Sequence, residues 1–329
     1  MKNIISKPKQ TACQLVSKMK IEKGISFHYT SETEAKSYLT NINNYLRTAA
    51  YRKNYQKYTN GIHKGKYIDL DFAYLQELST LDMHLRFIIM KMCSDIEHDL
   101  KVRFLKDIEN DPTTDGYDIV KNFLSHHNYI IGKLEATSTA PFTDNLVNKY
   151  FSMKQIHNST THKIENKITA YDDCPAWVLL ELLTFGDFIR FYDFYYSSRN
   201  FPKLSMSVIN LVKHLRNAVA HNNCILADLA CGSSKAPREI SQEISKINAI
   251  SANQRRKKLS CRPMLEFICL LYVYKIVVSE KVKFHRIKEL EDFFFHRMME
   301  KKYFFRNNEL IKSNYDFACK IIRAFYLKS

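Results

Sequence analysis

Apolar side chains recur every three or four residues along most of this 329-residue chain, which is the spacing of one face of an α-helix. The longest such stripe runs from Leu75 to Phe104 and predicts one long helix. A shorter stripe, with Val208, Leu215 and Val219 among its members, predicts a helix over residues 203–223 that turns this face toward the core. Both stripes indicate a core built from helices.

Two further segments carry signals for helix boundaries. Residues 31–55 begin with Ser31 and Glu34, which have the spacing of a capping box, and helical periodicity follows, so we expect one helix there. Residues 145–197 predict two helices. The second is expected to start near Pro175, because proline is well tolerated in the first helical turn.

The C-terminal third is also predicted to be helical, with one interruption. Residues 225–245 contain the main cluster of small residues and are expected to form a loop. Residues 261–297 predict a helix that is apolar on almost every side, followed by an amphipathic helix. With only 7 glycines and 7 prolines, the chain has too little turn chemistry for a sandwich or barrel of short strands. The predicted fold class is therefore all-α.

Positive charge is concentrated near the N-terminus. Residues 1–66 hold thirteen Lys or Arg against three Glu, a balance of +10, whereas the whole chain carries a net charge of +16. Such a segment can neutralise phosphates, so nucleic acid is the expected partner, although a lysine-rich solvated surface would have the same composition. We predict a basic N-terminal helical arm over residues 1–66 and a helical domain over residues 67–329. Within that domain, residues 226–329 either complete the core or form an accessory lobe.

Cations and tyrosines are interleaved within this arm, a mixture suited to holding a phosphate backbone while bases stack on the rings. The tyrosines are Tyr45, Tyr51 and Tyr55, and the predicted RNA contacts are Arg47, Arg52, Lys53 and Lys57. The alternative is that the rings pack against the protein with their hydroxyls outward.

Neither secretion nor membrane insertion is expected. The first ten residues, MKNIISKPKQ, lack an apolar core, and eight cysteines are scattered without a CxxC pair, so we expect free thiols in a reducing cytoplasm. Glu181 and Lys275 interrupt the longest apolar stretches, which fall short of the roughly 20 residues that a membrane span needs.

The stretch HLRNAVAHNN, residues 214–223, places polar chemistry in a helix that otherwise belongs to the core. Arg216 and His221 are separated by about 140° around a straight helix and about 7.5 Å along it, so they would flank a groove. A guanidinium matches a phosphate, and an imidazole exchanges protons near neutral pH.

The neighbouring polar residues could support this chemistry. The amides of Asn217 and Asn222 could orient the imidazole or bind the phosphate, and His214 could assist a phosphate or simply lie on the surface. The structural alternative is a helix end in which Arg216 pairs with an acidic group and His221 caps carbonyl groups. The sequence has no P-loop, no dinucleotide fingerprint and no zinc-binding pattern, so no cofactor and no metal is expected.

Arg216, Asn217 and His221 also resemble the Arg-x4-His signature of the HEPN superfamily. The order of the blocks YLTNINNYLRTAAY, LDMHLRFIIMKMCSDIEHDLKVRF, PAWVLLELLTFGDFIRFY and LRNAVAHNN is similar to that of the bacterial abortive-infection (Abi) family over residues 8–225. Two features depart from the family pattern. Lys101 stands where the family has an arginine, and the segment after His221 lacks an aromatic-rich continuation.

The resemblance implies a HEPN-like helical bundle with additional N- and C-terminal helices. It also implies a homodimer in which two motifs face one cleft, and a metal-independent endoribonuclease in a bacterial antiphage or toxin–antitoxin system. His221 would move a proton at the ribose 2′-hydroxyl or the leaving 5′-oxygen, Arg216 would stabilise the phosphorane, and Asn217 would orient them. His214 and Asn222 would contact RNA. The alternatives are a non-catalytic protein that binds a structured small RNA and a protein-interaction module in phage defence.

Overall fold

The structure is a computed structural model that describes residues 8–158, 163–199 and 203–327. The described residues contain fifteen α-helices and one β-hairpin, so the predicted all-α class is confirmed with a small hairpin added. The helices are α1 (Ala12–Ile21), α2 (Glu32–Asn41), α3 (Tyr45–Ala50), α4 (Phe72–Glu109), α5 (Asp118–His126), α6 (Asn128–Thr137), α7 (Asp144–Tyr150), α8 (Ala176–Leu182), α9 (Phe185–Ser197), α10 (Met206–Ala220), α11 (Arg238–Ser245), α12 (Ala252–Leu259), α13 (Arg262–Val277), α14 (Glu280–Glu291) and α15 (Glu309–Tyr326). The strands are β1 (Ser152–Asn158) and β2 (Lys163–Ala170).

The chain divides into two compact units. The first contains the residues up to Ser94 and those from Asn210 onward, and the second contains Asp95–Ile209. The described part of the predicted basic arm, residues 8–66, lies in the first unit, and so do residues 226–327. The boundary after residue 66 and the accessory lobe stay predictions.

Long apolar helices form the core of the first unit. The stripe that predicts α4 is buried, as Leu75, Leu78 and Leu81 illustrate. Helix α13 packs against α15 and is buried from Met264 to Val277 on most of its circumference, as its composition predicts. Even so, no helix in the described part of the chain is long and apolar enough to cross a membrane.

The prediction of one helix over residues 31–55 is correct at its start and wrong in its length. The Ser31 hydroxyl accepts a hydrogen bond from the Glu34 N–H at 3.2 Å, and the Glu34 carboxylate accepts one from the Ser31 N–H at 2.8 Å, so the capping box is present. The helix then breaks because the Asn44 side chain accepts a bond from the Arg47 N–H at 3.0 Å and thereby caps a new helix, α3.

The second unit contains the hairpin, in a region where the sequence predicts a helix. Strands β1 and β2 pair antiparallel, with Met153 opposite Ile168 and His157 opposite Ile164. The apolar residues here do not alternate with polar ones: Ile164 and Ile168 are four positions apart, a spacing that fits a helix, so periodicity alone does not reveal the strands. The predicted helix start near Pro175 is confirmed, since α8 follows that residue directly.

The predicted loop over residues 225–245 is only partly irregular. It contains a short 3₁₀ turn, Ile225–Ala227, and helix α11. Ile240 and Ile244 lie four residues apart and are both buried, which gives α11 an apolar face that its short length obscures in the sequence.

Candidate functional site

Helix α10 ends in a backbone motif that fixes the position of His221. The Asn223 N–H donates to the Ala218 carbonyl at 2.8 Å, and the Asn222 N–H donates to the Val219 carbonyl at 2.9 Å. Asn222 has a φ of 61°, a left-handed conformation that asparagine tolerates better than most residues do. This is a Schellman termination, in which His221 is the C-cap residue. The predicted helix through residue 223 is therefore three residues too long.

The polar residues of this helix lie on its solvent side. Val212, Leu215 and Val219 are buried and anchor α10 in the first unit. Asn217 and His221 are exposed, and Arg216 is half-buried. The helix is thus held by its apolar face, while the residues of the Arg-x4-His signature stay accessible.

Arg216 and His221 have few contacts within the protein. The Arg216 guanidinium donates one hydrogen bond, to the Asn217 side-chain oxygen at 3.3 Å. Across residues 8–158, 163–199 and 203–327, Arg216 forms no ion pair, and the imidazole of His221 forms no hydrogen bond or ion pair. Neither part of the structural alternative, an acidic partner for Arg216 or a carbonyl cap by His221, is therefore present among the described residues.

Two predicted RNA contacts lie beside the segment that follows His221. A guanidinium nitrogen of Arg47 donates a short hydrogen bond to the Asn222 carbonyl. The Lys53 ammonium lies 3.7 Å from the Asp228 carboxylate, and its side chain is 66% exposed. The described arm therefore supplies positive charge next to the end of α10.

Two buried polar residues that the sequence analysis did not single out hold the same segment. Asn54 donates to the Leu226 carbonyl at 2.8 Å and accepts from the Leu229 N–H at 2.9 Å. Asp82 accepts from the Leu226 N–H at 2.6 Å. We refer to Arg47, Asn54 and Asp82 together as the polar clamp, because each binds backbone groups of residues 222–229.

Asp82 is the most buried member of the polar clamp. Its carboxylate is fully buried and lies 3.0 Å from Nε of Arg86, one helical turn further along α4. Burial raises the pKa of Asp82, although the Leu226 N–H and Arg86 oppose this effect. The spacing of Asp82 and Arg86 within an otherwise apolar stripe is the signal in the sequence that could have identified this pair.

Comparison with models of protein families shows which family this region belongs to. The model of the Abi-like protein family matches residues 37–227. The chain belongs to the Abi-like protein family. The matched region of this Abi-like chain includes the polar clamp, Arg216, Asn217 and His221, and family membership points to a role in abortive-infection defence. No curated protein and no solved structure matches significantly.

The other predicted contacts in the arm of the Abi-like chain are packed against tyrosines. The Arg52 guanidinium lies 5.6 Å from the Tyr45 ring centre and 5.8 Å from that of Tyr67. The Lys57 ammonium lies 4.9 Å from the Tyr67 ring centre. These distances are those of cation–π contacts. Both cations thus lie beside the rings of Tyr45 and Tyr67.

The structure excludes two of the predicted stacking tyrosines. Tyr51 and Tyr55 are buried, and burial raises the pKa of both hydroxyls well above the ordinary range. Their rings cannot stack on bases without unfolding the arm. The packing alternative therefore holds for these two, except that their hydroxyls are buried rather than outward.

His214 has a structural partner, unlike His221. Its Nδ1 lies 2.8 Å from a guanidinium nitrogen of Arg262, so the imidazole acts as the acceptor. Partial burial and the charge of Arg262 lower the pKa of His214. In the Abi-like chain this histidine is therefore neutral at pH 7.

No group of three metal-binding side chains occurs in the described ranges.

Proposed function

We propose that this chain is a metal-independent endoribonuclease of the HEPN type, with Arg216, Asn217 and His221 as its catalytic residues. One observation carries the proposal. A guanidinium and an imidazole stand at an exposed helix end, and neither has an acidic partner among the described residues. A guanidinium and an imidazole that no acidic group engages remain available to bind a phosphate and to exchange a proton.

The chemistry follows from the two side chains. His221 would accept the proton of a ribose 2′-hydroxyl while the 2′-oxygen attacks the adjacent phosphorus. The P–O5′ bond then breaks, and the leaving 5′-oxygen takes a proton from a general acid. Arg216 would neutralise the charge that develops on the phosphorane oxygens. The products are a 2′,3′-cyclic phosphate and a 5′-hydroxyl, so DNA should not be cut.

A single copy supplies one imidazole, whereas the reaction needs a base and an acid. We therefore propose a homodimer in which the same histidine of a second copy provides the other function. Sedimentation at micromolar concentration tests this proposal. A monomer that cleaves RNA at the full rate would refute the composite site.

The biological role that fits both the family and this chemistry is RNA degradation in abortive-infection defence, including toxin–antitoxin systems. The basic arm would raise the local concentration of RNA around the site. Binding should weaken steeply as salt increases, because each neutralised phosphate releases counterions. Asn222, which follows His221 directly, and Arg47, which bonds the Asn222 carbonyl, are the proposed RNA contacts beside the catalytic residues. The exposed Lys53 lies beside Asp228.

The decisive experiment is cleavage of end-labelled RNA by the purified full chain in EDTA. We expect cleavage by the wild type, with a roughly 10²- to 10⁴-fold loss in Arg216→Ala and His221→Ala, the range for removal of a catalytic acid, base or oxyanion donor. Substituting deoxyribose at the cut position should abolish cleavage.

Arg256→Ala is the matched control. Arg256 is an exposed arginine on α12 whose guanidinium lies 3.4 Å from the Asn253 side-chain oxygen, an arrangement like that of Arg216 and Asn217. The Arg256→Ala variant should cut at the wild-type rate. Equal loss in all three variants, or cleavage of the deoxyribose substrate, would overturn the proposal.

The second candidate is a non-catalytic RNA-binding protein, which the basic arm favours. In that case Arg216 and His221 would contact a structured small RNA without cutting it. The same purified protein distinguishes the two functions. RNA that co-purifies, is never cut after stripping and reloading, and is lost in Lys53→Glu would support the binder.

A further inference from the structure

The first unit contains a cavity that the proposed ribonuclease does not use. Its volume is about 520 Å³, which lies within the range of pockets that bind small molecules. The walls come from α4, residues 225–229, α13, residues 294–306 and α15, and are mainly apolar. They include Leu78, Leu81, Met264, Phe267, Phe294 and Ala318.

One buried amide in this cavity has unused hydrogen-bonding capacity. Asn314 lines the cavity and is 2% exposed. Its Nδ2 donates to the carbonyls of Leu229 and Leu310, at 3.1 and 2.8 Å, which fixes the orientation of the amide. Its Oδ1 accepts no hydrogen bond from the described residues. This oxygen has almost no accessible surface, so a molecule in the cavity cannot donate to it, and the apolar walls are what remains to hold a ligand.

The cavity also carries an excess of positive charge. Lys302, Arg306 and Lys312 line it together with one carboxylate, Asp316. Lys312 is engaged by Glu309, with 2.5 Å between its ammonium and the carboxylate. The exposed side chains of Lys302 and Arg306 form no hydrogen bond or ion pair in the part of the chain that is described. Two cations beside an apolar cavity complement an anionic head group.

We propose that this cavity binds an anionic amphiphile with one apolar chain. The chain would lie against the apolar walls, and the anion would lie at Lys302 and Arg306. An acyl chain joined through an amide N–H to a carboxylate has this chemistry. The inference does not depend on the ribonuclease proposal.

The cavity wall includes the segment that the polar clamp holds. Ile225, Leu226 and Leu229 line the cavity, and the N–H groups of Leu226 and Leu229 are bonded by the clamp. A bound ligand packs against these side chains and should slow amide exchange of residues 225–229. This readout is independent of any enzymatic activity.

Calorimetry with N-dodecanoylglycine and the full chain tests the proposal. We expect saturable binding of one ligand per chain. The double variant Lys302→Gln/Arg306→Gln should bind roughly tenfold more weakly, since both residues are exposed and their ion pairs are modest. Arg256→Gln/Lys257→Gln, two exposed cations on α12, is the matched control and should bind like the wild type.

A filled cavity provides the second test. Ala318→Phe should abolish binding while the thermal midpoint shows that the chain still folds. If that variant does not fold, the double variant still decides the question. If no binding is seen at ligand concentrations up to roughly 1 mM, the proposal is overturned, because a Kd above that value corresponds to only a weak contact. Equal affinity of the wild type and the Lys302→Gln/Arg306→Gln variant would also overturn it.

Discussion

A basic residue lies at the C-terminal end of α9 and another at that of α10, and the contacts of the two side chains differ. Just beyond α9, Nε of Arg199 makes a short ion pair with the Asp111 carboxylate, and the guanidinium lies 4.3 Å from the Tyr195 ring centre. At the end of α10, His221 is exposed and makes no side-chain hydrogen bond among the described residues. The first arrangement stabilises a fold, and the second leaves a reactive group accessible.

The rest of α9 follows the structural pattern. Asp187, in its first turn, is almost fully buried and lies 2.7 Å from the Lys133 ammonium and 2.9 Å from the Arg190 guanidinium. Thr184 donates a further hydrogen bond to it at 2.7 Å. Two cations and a hydroxyl group thus compensate the buried carboxylate. In a chain with 50 basic and 34 acidic residues, a cation without a partner is informative only where a second observation accompanies it, such as the Arg-x4-His signature on α10 or the apolar cavity beside Lys302 and Arg306.

The largest expected difference between the two helix ends is in stability. Arg199→Ala should lower the free energy of unfolding by about 3 kcal/mol, because it leaves the 4%-exposed Asp111 without its cation. Arg216→Ala should change it by less than about 0.5 kcal/mol, as is usual for surface positions without a partner. Urea denaturation of both variants measures the two values.

The environment of Asp111 explains the size of this loss. Burial raises the pKa of Asp111, but hydrogen bonds from Thr113, Arg199 and Tyr195 outweigh it and lower the pKa to about 2. The folded state thus depends on these partners to keep the carboxylate charged. Equal stability losses in Arg199→Ala and Arg216→Ala would show that Arg216 is also structural, and the comparison would fail.

Features set by local spacing could be predicted from the sequence. The stripe of α4, the capping box at Ser31 and the helix after Pro175 each depend on residues within a few positions of one another. The position of the Arg-x4-His signature belongs to the same class. The break at Asn44 is also local, but an asparagine that is a cap and one within a helix look alike in sequence.

Features set by contacts between distant residues could not be predicted. The polar clamp joins Asn54 and Asp82 to Leu226, which lies 172 and 144 residues away in sequence. Nothing in a single sequence shows which buried polar side chain meets which backbone group. The lack of partners at Arg216 and His221 is likewise visible only when the surrounding residues have been placed.

The second prediction concerns the polar clamp, and its expected effect on stability is intermediate in size. Asn54→Ala removes two hydrogen bonds from residues 226–229 and leaves the Leu226 carbonyl and the Leu229 N–H without their partner. We expect a loss of about 2 kcal/mol in unfolding free energy and faster amide exchange at Leu229. Urea denaturation and hydrogen exchange measure these effects.

The exposed Asn253→Ala on α12 is the control for the clamp and should leave both quantities unchanged. If Asn54→Ala is as stable as the wild type but exchanges faster at Leu229, the clamp orders the end of α10 without contributing to the fold. If neither quantity changes, the two hydrogen bonds do not hold this segment.

The two histidines of α10 give the smallest and most specific prediction. The pKa of His214 is lowered by partial burial and by Arg262, so the folded state binds fewer protons there than the unfolded state does. Stability from this site is complete above the ordinary histidine pKa of about 6.5 and decreases as the pH falls through that value. Because His214 is largely solvent-exposed, we expect only a few tenths of a kcal/mol.

Urea denaturation between about pH 7.5 and pH 5.5 measures this effect as a difference between variants. Over this interval the free energy of unfolding of the wild type should fall by a few tenths of a kcal/mol more than that of His214→Gln. His285→Gln, an exposed histidine on α14, is the control and should follow the wild type. If His214→Gln keeps the full pH dependence of stability, the contact with Arg262 does not set the protonation of His214. The contrast between a structural His214 and an available His221 would then be wrong.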